Sequence, residues 1–336
     1  MKNNNSSSIL KPLDKKLLAY LYNDSREADT KLAKQLKISR EQVSYRIKKF
    51  EAEGIIKGYI PLINYNRLGY SIINLIFLKF NKQSYAKKFK EKIKDNKNRI
   101  NTVEVLSGYD LGALFVFQNE QERNKYISEM LGSHSNELRD YLIIEPYYSE
   151  FYPLKFLGHA EIRPRVFHEY KLKEYNLDEK EKKILAVLNK NANSKIIEIA
   201  KQTNLSAELI VYKLKKLKKE NVLLSTRAYF DMEKTGFFYS ILLINFHNFS
   251  KQNQEKIRQF AKKCNYLDSL MFCAGKPNCY MQIFHKDVLE LHKVLNDLRE
   301  TFPSESITTE ILPLKNEGED VNTIPFLKNE QTRTHK

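Results

Sequence analysis

Displaced by 167 residues, the chain falls on itself. Lys15-Lys16-Leu17-Leu18-Ala19 lies on Lys182-Lys183-Ile184-Leu185-Ala186, and Ala33-Lys34-Gln35 on Ala200-Lys201-Gln202. Ser39 meets Ser206, Tyr45 meets Tyr212, and Lys48-Lys49 meets Lys215-Lys216. Gly69, Gly108 and Pro146 meet Gly236, Gly275 and Pro313. Apolar positions correspond as well: Val43 with Ile210, Ile47 with Leu214, Phe50 with Leu217. Chance does not hold one ungapped register from residue 10 to residue 146. Self-similarity of this kind fixes the architecture before any local reading does, because each copy must build the same unit.

Within copy one the strongest local pattern runs from Ala28 to Tyr59. Leu32, Ala33 and Leu36 form the apolar side of a short helix. Ile38 marks a turn. Ser39, with Gln42 three residues on, is a capping-box start. Val43, Ile47 and Phe50 recur at helical spacing on the next helix. Its outward positions are Arg40, Glu41, Ser44, Tyr45, Lys48 and Lys49, a set of hydrogen-bonding groups and cations suited to a DNA major groove. Gly54 stops that helix. Ile55 to Ile60 then reads as a strand, a turn and the start of a second strand, a small wing. The segments Leu-Ala-Lys-Gln-Leu-Lys-Ile-Ser and Val-Ser-Tyr-Arg-Ile-Lys-Lys-Phe-Glu-Ala-Glu-Gly-Ile-Ile-Lys-Gly-Tyr closely resemble the winged helix-turn-helix of the Lrp/AsnC (feast/famine) transcription regulators.

Downstream, the pattern predicts strand 71–80, helix 85–94, strands 102–106 and 111–117, helix 122–131 and strand 141–148. This βαββαβ order is a ferredoxin-like unit, and it resembles the sensing and dimerising half of the same family. Copy two repeats it at 238–246, 254–264, 267–272, 280–284, 288–300 and 307–314. The fold class expected is α+β, a tandem of winged helix-turn-helix plus ferredoxin-like domain, occurring twice. The expected division is a disordered tract 1–9, helix-turn-helix 10–63, sensing domain 64–152, connector 153–176, helix-turn-helix 177–230, sensing domain 231–316 and polar tail 317–336. Family members typically carry one such module per chain, so the duplication is the main departure.

The resemblance implies double-stranded DNA as partner. At base edges we expect Arg40, Glu41, Ser44 and Tyr45; at phosphates, Arg46, Lys48, Lys49 and Lys57. Copy two replaces Arg40 by Ala207 and Ser44 by Val211 but stays cationic, leaving Tyr212, Lys213, Lys215 and Lys216 as a weaker set. The family also binds a small effector, often an amino acid, at a Gly-x-x-Asp turn. Gly108-Tyr109-Asp110 is one residue shorter than that pattern, and Gly275-Lys276-Pro277-Asn278 keeps the spacing but ends in Asn. Apolar residues Ile73, Leu75, Phe77, Leu114, Val116, Phe117, Leu242, Ile244 and Phe246 predict a sheet face buried against a partner. An intramolecular pseudo-dimer of the two sensing domains would supply it, with a homodimer of chains as a further step.

A net charge of +16 suits a polyanionic partner. Lysine and asparagine are spread throughout, however, so charge alone does not single out a DNA face. Three cysteines without a CxxC give neither a disulfide framework nor a metal site, and no cofactor is expected. The longest apolar run, 72–78, is too short to span a bilayer, which leaves a cytoplasmic protein. No nucleophile elbow, Walker loop or Rossmann fingerprint is present, so no catalytic residue is assigned. Two other classes stay open. Sirohaem decarboxylases resemble this family and occur as fused two-module chains, typically with an Arg-Phe-Gly-type segment where this chain has Ile56-Lys57-Gly58-Tyr59. An architectural protein would bind any duplex through its phosphates.

Overall fold

The computed structural model describes residues 10–158, 165–169, 173–302, 307–315 and 321–327. The tract 1–9 and parts of the connector and tail lie outside the described residues.

Helix α1 (Pro12–Asn23) begins with proline in its first turn, where the missing N–H has no helical partner to lose. Its Leu17, Leu18 and Leu21 are buried. Helix α2 (Asp29–Leu36) ends at Lys37, which is left-handed at φ 55°. Helix α3 (Arg40–Ala52) opens on a complete capping box: Gln42 N–H donates to Ser39 Oγ at 3.2 Å, and Ser39 N–H to Gln42 Oε1 at 3.1 Å. Ser39→Ala is expected to cost about 1 kcal/mol, read by equilibrium urea unfolding; unchanged stability would refute a contribution from the cap.

The wing departs from expectation. Residues Ile56–Ile63 form one continuous strand, β1, with Gly58 in its middle rather than in a turn. Copy one continues with β2 (Ile72–Phe80), α4 (Gln83–Lys92), β3 (Arg99–Val105), β4 (Leu111–Phe117), α5 (Glu120–Ser133) and β5 (Leu138–Phe151). A short strand β6 (Arg165–Glu169) follows in the connector. Copy two supplies α6 (Glu179–Lys190), α7 (Ile196–Thr203), α8 (Ala207–Lys219), β7 (Leu223–Phe230), the single turn α9 (Met232–Thr235) and β8 (Phe238–Phe246). It ends with α10 (Lys251–Lys263), β9 (Leu267–Ala274), β10 (Cys279–His285), α11 (Val288–Thr301) and β11 (Ile307–Lys315).

Strand β1 finds its partner in the other copy. It pairs antiparallel with β7, placing Ile60 opposite Arg227. Each helix-turn-helix unit then leans on the ribbon strand of the other copy. Ser25 N–H donates to Thr226 O at 3.0 Å, and Ala192 N–H donates to Tyr59 O at 3.0 Å, the same bond seen twice about a pseudo-two-fold axis.

The two ferredoxin-like sheets join in the same way. Strand β5 is long enough to serve both: Leu138–Ile144 pair with β2 and Glu145–Phe151 with β9. On the other side, Leu314 and Lys315 of β11 pair with Val105 and Glu104 of β3. The circuit β5-β2-β4-β3-β11-β8-β10-β9 therefore closes into eight strands, with β6 outside it. Closure removes the sheet edges that a single module would leave open.

Side-chain phase follows from this closure. Leu75 and Phe77 face the interior, whereas Ile76, Leu78 and Phe115 lie under α4 and α5. On β8 the inward residues are Tyr239, Ile241 and Leu243, while Leu242, Ile244 and Phe246 pack beneath α10 and α11. The expected partner face was thus one residue out of phase on β8, and a one-residue slip exchanges the faces of a strand. Phe117 likewise belongs to the helix-covered core, and Ile73 and Val116 join the core of the copy-two helix-turn-helix.

Two further corrections concern the repeat and the tail. The register is not constant through the sheet: Ile100 corresponds to Asp268 and Asp110 to Asn278, a displacement of 168 that already holds in β3 before the hairpin turn, whereas Phe80 corresponds to Phe246, a displacement of 166. Residues 321–327, expected as loose tail, dock on both copies. In copy one, Asn322 N–H donates to Ile100 O at 2.7 Å, Tyr65 Oη donates to Thr323 O at 2.8 Å, and Phe326 stacks on Tyr70 at 4.2 Å between centroids; in copy two, Asn189 Nδ2 donates to Asn322 Oδ1 at 2.6 Å. Among the described residues no helix is long and apolar enough to cross a membrane.

Candidate nucleic-acid interface

Helix α3 buries Val43 and Phe50 and turns its other side outward. Arg40, Glu41, Lys48 and Lys49 are exposed, Ser44 is half-buried, and Tyr45 is 69% exposed. An aromatic ring left this open has no role in the domain's own packing. The exposed Glu41 carboxyl is held below its usual range by its own backbone N–H at the helix start and by Ser39. It is therefore a charged acceptor at neutral pH. Lys49 lies 3.8 Å from Glu53, an exposed i,i+4 pair that contributes little.

Arg46 and Lys57 stand elsewhere than expected. Arg46 forms an ion pair with Asp14 of α1. Lys57 Nζ sits 3.5 Å from Asp231, across the ribbon in copy two. Both are intramolecular ties rather than free cations.

In copy two, Tyr212 is 60% exposed and Lys215 is exposed. Lys213, by contrast, is only 8% exposed. Its ammonium pairs with Asp178, and with Glu181 at 3.2 Å. Lys213 and Arg46 are equivalent in the repeat, as are Glu181 and Asp14, so both copies use this position to pin the second helix to the first. The hydrogen bond to Asp178 raises the Lys213 pKa against the opposing effect of burial. Lys216 is held 3.5 Å from Glu181 and over the Tyr175 ring. Lys213→Ala is therefore expected to lower stability by about 2 kcal/mol. Thermal melts check this. Weaker DNA binding with an unchanged melt would return Lys213 to the interface.

The effector-type turns are also committed within the fold. Asp110 Oδ2 accepts from Phe80 N–H at 2.7 Å, with Lys79 at 3.2 Å from Oδ1. Asn278 Oδ1 accepts from Phe246 N–H at 3.0 Å, and its amide donates to Phe246 O at 2.8 Å. Tyr109 packs on Phe77, and Gly108 approaches Leu312 of copy two, whereas Gly275 faces open space.

A feature absent from the sequence reading lies inside the closed ring. A cavity of about 170 Å³ is lined mainly by apolar side chains, with one polar end. There the Tyr22 hydroxyl of α1 donates to Asp268, and Arg227 Nη1 donates to the Tyr22 oxygen at 2.8 Å. The Arg227 guanidinium is sandwiched between the rings of Tyr22 (3.9 Å) and Phe151 (4.6 Å). A bulge aims Asp268 inward: Gln282 pairs with Ser269 and Ile283 with Leu267, leaving Asp268 the extra residue. Burial raises the Asp268 pKa. In sequence, the signal was the loss of repeat symmetry at Ile60/Arg227 and Asn189 against Tyr22.

Comparison with known proteins gives two kinds of match. The winged helix-turn-helix DNA-binding family model matches residues 10–57 and 177–223. An uncharacterised HTH-type transcriptional regulator of Pyrococcus furiosus is 30% identical over 122 residues, covering 35% of this chain and 80% of the relative. The LrpA regulator of Pyrococcus horikoshii is 44% identical over 62 residues, 18% of this chain and 44% of that protein. Among solved structures, the sirohaem decarboxylase NirDL with an iron-uroporphyrin III analogue aligns over 96% of this chain and 98% of its own. The TM-score is 0.60 and the identity 16%, a likeness of fold.

Proposed function

Because this chain belongs to the Lrp/AsnC family of helix-turn-helix transcription regulators, we propose that it reads DNA through α3 and uses α8 chiefly as a cationic second contact. It is a sequence-specific DNA-binding transcription regulator. The observation that carries the assignment of α3 is its exposed N-terminal half, where Arg40, Glu41, Ser44 and Tyr45 hold no buried structural position except the partly covered Ser44. Arg and Glu at such positions match guanine and cytosine edges, and Lys48 and Lys49 match phosphates. The setting is the cytoplasm. Since the two units differ, the operator should be asymmetric. A homodimer of chains would present four units, which solution mass decides. An amino-acid effector would engage the Gly108 and Gly275 turns only with Asp110 and Asn278 released from Phe80 and Phe246.

Genome-wide mapping of bound sites, followed by footprinting, tests the reading. One recurring asymmetric sequence supports it. Equal affinity for every duplex would replace it by an architectural role, and we assign none. The likeness to a sirohaem decarboxylase is a second reading of the fold. The cavity within the ring, about 170 Å³, is close in size to one that binds benzene, about 150 Å³, and small for a four-pyrrole macrocycle. Among the described residues no histidine lines it. We therefore propose no covalent chemistry. A Soret band shift on titration with sirohaem would reverse that.

A further inference from the structure

We propose that the cavity inside the eight-stranded ring is a binding site for a small monocarboxylic acid with an apolar body, either one aromatic ring or a branched chain. The proposal does not rest on the DNA-binding reading.

Size sets the first limit. An eight-stranded ring leaves an interior that side chains either fill or leave open to one small ligand. Here about 170 Å³ stays open, slightly more than the roughly 150 Å³ that admits benzene in an apolar core. Fully apolar voids need no ligand, but this one is not fully apolar.

Chemistry sets the second. Ser269 is 1% exposed, lines the cavity, and its Oγ has no hydrogen-bond partner among the described residues. Arg227 is 9% exposed, and its Nε is likewise without a partner. Buried donors in that state cost stability unless something accepts from them. A carboxylate accepts from a guanidinium edge and a hydroxyl together. The ring sandwich fixes the guanidinium in place, so the site is preorganised.

Asymmetry is the third argument. The bulge that carries Asp268 recurs in copy one, where Asn101 pairs with Leu114 and Arg99 with Phe115, and the extra residue is Ile100. Across the ribbon, Ile60 stands where copy two has Arg227. The pseudo-two-fold axis thus relates a charged end of one cavity to an uncharged end, which Asn101 and Thr323 also line. Two identical chains would place both ends alike. Fusing the copies allowed a head-and-body site. Because Tyr22 belongs to α1, an occupant would touch the copy-one DNA-binding unit directly.

The test titrates the full chain with phenylacetate, toluene and L-phenylalanine, read by calorimetry and by ¹H–¹⁵N chemical shifts. Saturable phenylacetate binding is expected, at least tenfold tighter than either of the others. Arg227→Met should weaken it at least tenfold. Leu114→Phe, at the uncharged end, should abolish it while leaving the melting curve and backbone spectrum folded. Should Arg227→Met fail to fold, Ser269→Ala, expected to weaken binding severalfold, takes its place. No saturable binding overturns the proposal. So does toluene binding as tightly as phenylacetate, L-phenylalanine binding more tightly, or full binding retained by Leu114→Phe.

Discussion

Asp268→Ala lowers the unfolding free energy by about 1–3 kcal/mol in equilibrium urea unfolding at neutral pH, the cost of leaving a buried hydroxyl without its acceptor. The carboxyl is buried, bonded to Tyr22 and close to Arg227. Its removal leaves the Tyr22 hydroxyl of copy one without the copy-two carboxyl that accepts from it, so the loss reaches the contact between copy one's α1 and copy two's β9. Asp268→Asn keeps a hydrogen-bonding group of the same shape and should lose less than half as much. The pH dependence has a definite sign. Burial raises the folded-state pKa, so the folded protein holds a proton that the unfolded chain has already released. The resulting stability is full below the ordinary aspartate value near 4 and is lost as pH rises through the raised folded value. Asn removes that slope. A loss below about 0.5 kcal/mol for the alanine variant, against the roughly 1–3 kcal/mol expected for a buried group left without its partner, would mean that the cluster does not hold the copies together.

What was legible in the chain is what local physics dictates. Ser39 and Gln42 announced the start of α3, and the 3.6-residue recurrence of Val43, Ile47 and Phe50 announced its buried face. Gly54 and Asn221 share a left-handed position, at φ 65° and 54°, which explains why asparagine replaced glycine there. Illegible was whatever depends on the other copy. Gly58 reads as a turn only while β7 is unknown; in the ribbon it pairs with Tyr229, next to a bulge at Lys57. The run Ile241 to Ile244 is apolar on both faces because helices cover one and the ring interior the other, so alternation could not phase it. Lys213 looked like a DNA contact because it belongs to the cationic run of the second helix, and nothing local reveals Glu181 waiting on α6. The cavity needed four elements at once, and only the broken symmetry of the repeat hinted at it.

The corrected position of Lys213 sharpens the comparison between the two DNA-binding units. Arg40→Ala with Tyr45→Ala should reduce specific operator binding by about 2–4 kcal/mol, roughly 30- to 1,000-fold, since base contacts contribute about 1–3 kcal/mol each. Tyr212→Ala with Lys215→Ala, the exposed pair of α8, should cost tenfold or less. The difference rests on chemistry. At α8, Ala207 and Val211 replace Arg40 and Ser44, leaving Tyr212 without polar neighbours at the helix start other than Glu208. Random-sequence duplex separates the roles. The α3 pair should change it little, whereas Lys48→Ala with Lys49→Ala should weaken both duplexes alike and reduce the salt slope by about 2. None of these residues is buried, so melting curves should be unchanged within about 0.5 kcal/mol. Operator and random affinities are measured for each variant at several salt concentrations. Equal losses from the α3 and α8 pairs would make the two units equivalent readers, and the operator would then have to be a near-palindrome.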